Sequence, residues 1–247
     1  MRFLKFTLVE LLLVGVILMM LASFVLPGLM KSRNQARRTN CLSNLNQLGI
    51  AARLYSDEQK YYPDAFIQGP GTERYYWCAF INGSSIDFSK AIMSDYVKNP
   101  NLYICPEFEL MSNVTSMAPP IPSTCSYGIN AEYVGGTPNP NAAPTENDIL
   151  NSSPAKLVEI KTPAKTMLFM DSATAGTSTP MAESYYFWAR NSFVTGVQHE
   201  SRSHFRHLRF ANGVFCDGHA EDNILPEAID SSESKIGWPD LEKCERE

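Results

Sequence analysis

Apolar residues run almost without interruption from Phe6 to Met30, and after that they recur at helical intervals. Leu42, Leu45, Leu48, Ala52 and Tyr55 are spaced three and four apart, with the polar Asn44, Gln47 and Arg53 between them and Asp57 just after. This pattern predicts one long helix from about Thr7 to about Asp57. Its first half, residues 6–30, is apolar on every side, and its second half, residues 31–58, is amphipathic. Pro27 lacks a backbone donor and is expected to kink the helix or melt a turn. The run Gln59 to Pro63 ends the helix, leaving residues 59–247 for a head.

Within the head the period shortens. "TMLFMDS" (166–172) reads as a buried strand, and "SYYFWARNSF" (184–193) as a second, aromatic-rich one. "HLRF", "GVFC" and "HAED" read as short strands, with Asn212–Gly213 and Asp217–Gly218 as the hairpin turns between them. "DFSKAIMSDYVKN" (87–99) predicts a short helix, "LYICP" a short strand and "SPAKLVEI" a capped helical turn. Residues 107–150 are rich in Pro, Asn, Ser, Thr and Gly and predict a long irregular loop. The expected fold is α+β: a long helical stem whose amphipathic half carries a small antiparallel sheet. No internal repeat is apparent.

From Leu11 to Met30 twenty residues pass without a charge. At about 1.5 Å per residue, such a helix crosses a hydrocarbon core of roughly 30 Å. The stretch is too long for a cleaved secretory signal, and no A-x-A site follows it. Glu10 is the single charge between Lys5 and Lys31. A lone carboxylate in hydrocarbon costs roughly 2–4 kcal/mol, so it needs a partner. A cut between Lys5 and Phe6 would create an amine on Phe6. On a neighbouring, axially shifted copy that amine can neutralise Glu10, turning the penalty into a drive for side-by-side packing.

Composition adds less. The chain has 247 residues and a net charge of −5, with no basic, aromatic-interleaved patch for nucleic acid. Arg2 and Lys5 precede the apolar run, while Lys31, Arg33, Arg37 and Arg38 follow it. Counting these places the head in the cytoplasm. The cysteines argue for export: Cys41, Cys78, Cys105, Cys125, Cys216 and Cys244 form no CxxC pair, and an even number in an exported head favours disulfides. Fifteen pairings are open, and buried thiols are the alternative. His199, His204, His207 and His219, with Asp171 and Asp217, are candidate metal ligands. There is no HExxH, nucleophile elbow or phosphate loop, so the head reads as non-enzymatic. Asn82 and Asn113 begin sequon-like triplets, which read as polar surface turns. Tyr75, Tyr76 and Trp77 read as packed aromatics rather than an adhesive patch.

The segment "FTLVELLLVGVILMMLASFVLPGLMKSR" resembles the amino terminus of type IV pilins and of type II secretion pseudopilins. "CLSNLNQLGIAARLYSDEQKYYP", "YVKNPNLYICPE", "SYGIN" and "RHLRFANGVFCDGHAE" resemble stretches of the large pilin-like proteins of Lentisphaerae, Verrucomicrobia and Planctomycetes. The first resemblance implies that residues 1–5 are a leader. A prepilin peptidase would cut after Lys5 and methylate Phe6, and glycine is the family's usual residue where this chain has Lys5. It also implies that Glu10 drives assembly, that Pro27 kinks the stem, and that the chain sits in the inner membrane before assembly. Inner-membrane machinery would then build copies into a helical filament, periplasmic or at the cell surface. Some pseudopilins bind calcium in a carboxyl-terminal loop, and "TENDIL" and "PEAIDSSESK" offer comparable oxygens. The alternative is a membrane-tethered head that never polymerises, either a binding module or a metal-dependent enzyme.

Overall fold

The computed structural model describes residues 7–83, 85–111, 125–131, 133–136, 153–173, 184–187, 203–231 and 236–239. The chain divides into two compact units, Met1–Arg37 and Arg38–Glu247. Helix α1 (Leu8–Gln59) is continuous through Pro27, so the proline does not terminate it. The helix stops where Lys60 turns left-handed (φ 72°), its N–H closing on the Ser56 carbonyl at 2.9 Å, shortly before Pro63.

The second unit holds the head and the helix residues from Arg38 on. Its main sheet has five strands: β5 (Tyr127–Asn130), β6 (Met167–Asp171), β7 (Tyr186–Phe187), β9 (Ala211–Phe215) and β10 (Ala220–Ile224). The order is β10-β9-β6-β5-β7, antiparallel except for the parallel β5–β7 pair. Strand β6 is buried at every position, and so is β9. An unbroken apolar run such as Met167–Met170 reflects cover on both faces of a strand. On one side Phe169 lies 4.5 Å, ring to ring, from Trp77. On β9, Val214 meets α1 at Gly49, where a Cβ would lie 2.5 Å from the valine Cγ2. Cys41, Leu45, Leu48, Ala52 and Tyr55 are all buried on this helix face, whereas Leu42 is only half-buried.

A four-stranded meander, β1 (Phe66–Gln68), β2 (Glu73–Tyr76), β3 (Phe80–Asn82) and β4 (Ser85–Asp87), is paired in chain order. Between its second and third strands sits Trp77, which is fully buried and donates Nε1–H to the Tyr185 carbonyl at 2.7 Å. A third sheet joins β11 (Pro226–Ser231), β12 (Ile236–Pro239) and β8 (Ser203–His204).

Several local expectations change. The 107–150 stretch is no single irregular loop: helix α2 (Pro106–Met111) opens it, and β5 runs through its middle. "LYICP" is not a strand but the end of a 3-10 turn, Pro100–Tyr103, capped by the Asn99 side chain. Residues 87–99 contain a 3-10 turn, Phe88–Lys90, capped by Asp87, followed by further turns rather than a helix. The short turn Leu157–Glu159 is capped by Glu159 reaching back to Lys156 N–H. Asp217–Gly218 is a turn as expected, with Gly218 at φ 95°. Asn212–Gly213 is not: both residues lie in β9. A Cβ on Gly213 would lie 2.7 Å from Ile224 Cδ1, so glycine there permits close strand packing rather than a turn. The hairpin before β9 instead turns on Leu208 and Arg209, both at positive φ (58° and 75°). His207 and Phe210 close it with two backbone hydrogen bonds of 3.0 and 3.1 Å.

Gly49→Ala is expected to lower unfolding stability by about 1–3 kcal/mol, because branched Val214 cannot swing clear. The double variant Gly49→Ala/Val214→Ala should be more stable than Gly49→Ala alone. Denaturant unfolding of the four proteins in the cycle checks this.

Candidate functional site

The first unit contains the apolar half of α1. From Leu8 to Met30 its large apolar side chains are between 44% and 79% exposed. The helix is long and apolar enough to cross a membrane. Its polar groups are satisfied locally, as hydrocarbon demands. Ser23 Oγ donates to the Met20 carbonyl at 2.7 Å. Glu10 closes a capping box with Thr7: its Oε2 accepts from Thr7 N–H and from Thr7 Oγ1–H, each at 2.8 Å, while Glu10 N–H donates to Thr7 Oγ1 at 3.3 Å. The signal for this, Thr-x-x-Glu at the start of an apolar run, is a capping-box pattern in the sequence itself. Reading Glu10 as a lone charge missed it. Cβ atoms built on Gly15 and Gly28 would meet nothing within 4 Å. Lys5 and Phe6 lie outside the described residues.

Inside the head a second arrangement was not legible from spacing. Asp171, at the end of β6, is fully buried and faces Arg206 Nη2 at 3.1 Å and His207 Nε2 at 3.3 Å. Its Oδ2 also accepts the Asn212 backbone N–H at 2.7 Å. Arg206 donates from Nη2 to the carbonyls of Ser126 and Ser172 and lies over the Phe108 ring at 4.8 Å. Burial pushes Asp171 toward its neutral form. Arg206, His207 and the Asn212 N–H together outweigh that and hold its pKa below the ordinary carboxylate value. Beside this group runs the disulfide Cys41–Cys105, which ties α1 to the segment ahead of α2 across 64 residues. His207 Nε2 lies 3.6 Å from Cys105 Sγ.

The remaining candidates are scattered. Cys78, Cys125 and Cys216 are buried thiols rather than disulfide partners. The apolar interior pushes the Cys216 thiol up to about 12, which makes it a poor nucleophile at neutral pH. His204 is buried in β8, whereas His219 is exposed, stacked on Phe215 and held by Asp217 Oδ1 at 2.6 Å. Among the described residues neither His204 nor the Asp217–His219 pair belongs to a group of three or more metal-ligating side chains. His199, Cys244, Asn113 and "TENDIL" lie outside the described residues. Residues 226–231 of "PEAIDSSESK" form β11 rather than a loop. Tyr76 and Trp77 are buried, as packed aromatics should be.

Residues 30–83 match the family model described as a protein of unknown function, DUF1559. The matched stretch takes in the end of the apolar run, the sheet-packed half of α1, and strands β1 to β3. It covers well under half of the chain and is compatible with a pilin-like surface protein. No curated protein and no solved structure matches significantly.

Arg206→Met leaves Asp171 buried without its cation and is expected to cost about 3–5 kcal/mol at neutral pH. A carboxyl held low in the folded state contributes stability above its unfolded pKa, about 4, and that contribution is lost as the pH falls through the folded value. The gap between wild type and Arg206→Met should therefore narrow in acid. Urea unfolding at pH 7 and pH 3.5 checks both the size and the trend.

Proposed function

We propose that this chain is a structural subunit of a filament of the type IV pilus or type II secretion pseudopilus kind. A prepilin peptidase cuts between Lys5 and Phe6 and methylates the new amine. The subunit waits in the inner membrane through residues 6–30. Inner-membrane machinery then assembles copies through their stem helices, and the heads coat a filament in the periplasm or at the cell surface. On this reading the head has a coating role and no catalytic one.

The observation that carries the proposal is the helix from Leu8 to Met30, whose large apolar side chains are exposed along its length around one acid, Glu10. Lipid covers such a surface before assembly and other copies cover it afterwards. The Thr7–Glu10 capping box supports the first state, because a single copy can hold the carboxylate with two hydrogen bonds of its own, while a third ties Glu10 N–H to Thr7 Oγ1. The second state offers a stronger, charge-assisted partner in the amine of a neighbouring copy. The partial family match is compatible with this reading.

The same capping box also favours a second reading, a tethered head that never polymerises, since it leaves Glu10 satisfied without assembly. Two measurements separate them. Mass spectrometry of the mature chain should find methylated Phe6 at its start, whereas a tether keeps Met1. Glu10→Leu should insert into the membrane as wild type does yet yield at least tenfold less sheared filament by electron microscopy and immunoblot. Wild-type filament from Glu10→Leu would contradict assembly through Glu10.

A further inference from the structure

We propose that the reduced form of this chain holds one thiophilic divalent cation, zinc in the simplest case, on Cys41, Cys105 and His207. The two Sγ atoms and the imidazole nitrogen lie within 4.8 Å of one another, and all three residues are buried. They come from three separate places in the chain: α1, the turn before α2, and the hairpin before β9. Nothing in the filament reading uses them together, and the inference does not depend on that reading.

One edge of the group already has the length found in a tetrahedral centre. With metal–sulfur bonds of about 2.3 Å and metal–nitrogen bonds of about 2.0–2.1 Å, adjacent sulfur and nitrogen ligands sit about 3.6 Å apart. Cys105 Sγ and His207 Nε2 are 3.6 Å apart. Two tetrahedral thiolates sit about 3.8 Å apart, so the sulfurs need only separate once the bond between them is broken. Asp171 Oδ2 lies 3.3 Å from the same imidazole nitrogen, and an oxygen from it in the fourth position would come at the expense of its 2.7 Å bond from Asn212 N–H.

The electrostatics match as well. Reduction by a dithiol or a phosphine breaks the S–S bond and adds two electrons and two protons. Binding of a divalent cation then releases both thiol protons, the neutral imidazole carries its one proton on Nδ1 so that Nε2 gives up its bond to Asp171 and ligates, and the result is a metal dithiolate with no net charge. The disulfide it replaces is also neutral. Exchange of one for the other leaves the buried Asp171–Arg206 ion pair balanced, as a site of such depth requires. A solvent-exposed pair of thiols would meet no such condition. The positive φ at Leu208 and Arg209 holds the hairpin that presents His207, so the imidazole is placed by backbone rather than by the sulfurs. Every chain begins with its cysteines as thiols, so metal and disulfide are alternative occupants of one location.

The test uses the full chain in detergent, folded with a phosphine reductant and titrated with cobalt(II). One equivalent should bind, with a thiolate charge-transfer band in the near ultraviolet and the visible bands of a tetrahedral ion. Zinc should displace it, and disulfide formation beforehand should reduce binding at least tenfold. Cys41→Ser/Cys105→Ser should lose the thiolate band, and His207→Gln should weaken binding at least tenfold. X-ray absorption of the zinc form of the wild type should show two sulfurs at about 2.3 Å, which does not depend on any variant folding. An all-oxygen shell, a thiolate band that survives in the double variant, or no stoichiometric binding by the reduced wild type would overturn the proposal.

Discussion

The apolar half of α1 is the constraint on which everything else turns. Fully covering a Leu, Val, Ile, Phe or Met side chain is worth about 1.5–3 kcal/mol. Large apolar side chains stand exposed from Leu8 to Met30. The sum far exceeds the 5–15 kcal/mol that holds an ordinary domain together. A surface of this kind must be covered by lipid or by other chains. The Thr7–Glu10 box and the Ser23–Met20 bond suit it to that cover, since neither polar group depends on water.

The same helix solves the opposite problem further along. From Arg38 on it presents Cys41, Leu45, Leu48 and Ala52 to the sheet and brings Gly49 against Val214. Three kinds of tie hold it there. Arg38 pairs with Asp222 at 3.1 Å and donates to the Asn223 side chain at 2.6 Å, next to the sheet edge. The disulfide closes a long loop, worth about 2–4 kcal/mol in the unfolded-state account. Close packing supplies the rest. Force applied to such a helix therefore meets covalent and ionic links as well as apolar contact.

The long helix, its amphipathic half, the strand at 167–171 and the Asp217–Gly218 turn were all legible, because each is a local pattern of period or turn chemistry. The capping box was equally local and was overlooked because Glu10 was weighed only as a charge. Asn212–Gly213 misled for a physical reason: glycine serves close packing as well as turning, and only the position of Ile224 distinguishes the two uses. The Leu208–Arg209 turn carries no turn residues at all, so tertiary contacts impose its backbone. The Asp171–Arg206–His207 group and the Cys41–Cys105 pairing join residues far apart in sequence, and spacing holds no information about such meetings. "LYICP" failed because Asn99 and Pro100 nucleate a capped 3-10 turn that outweighs β-propensity in a short run.

A helical reconstruction of the proposed filament with side chains resolved tests the central claim most directly. The account predicts Leu8 to Met30 packed against the same segment of adjacent copies. The Glu10 carboxylate should lie within about 2.7–2.9 Å of the amine on a neighbouring copy's Phe6. A filament in which that segment faces lipid or water, with Glu10 bonded to its own Thr7 alone, would contradict it.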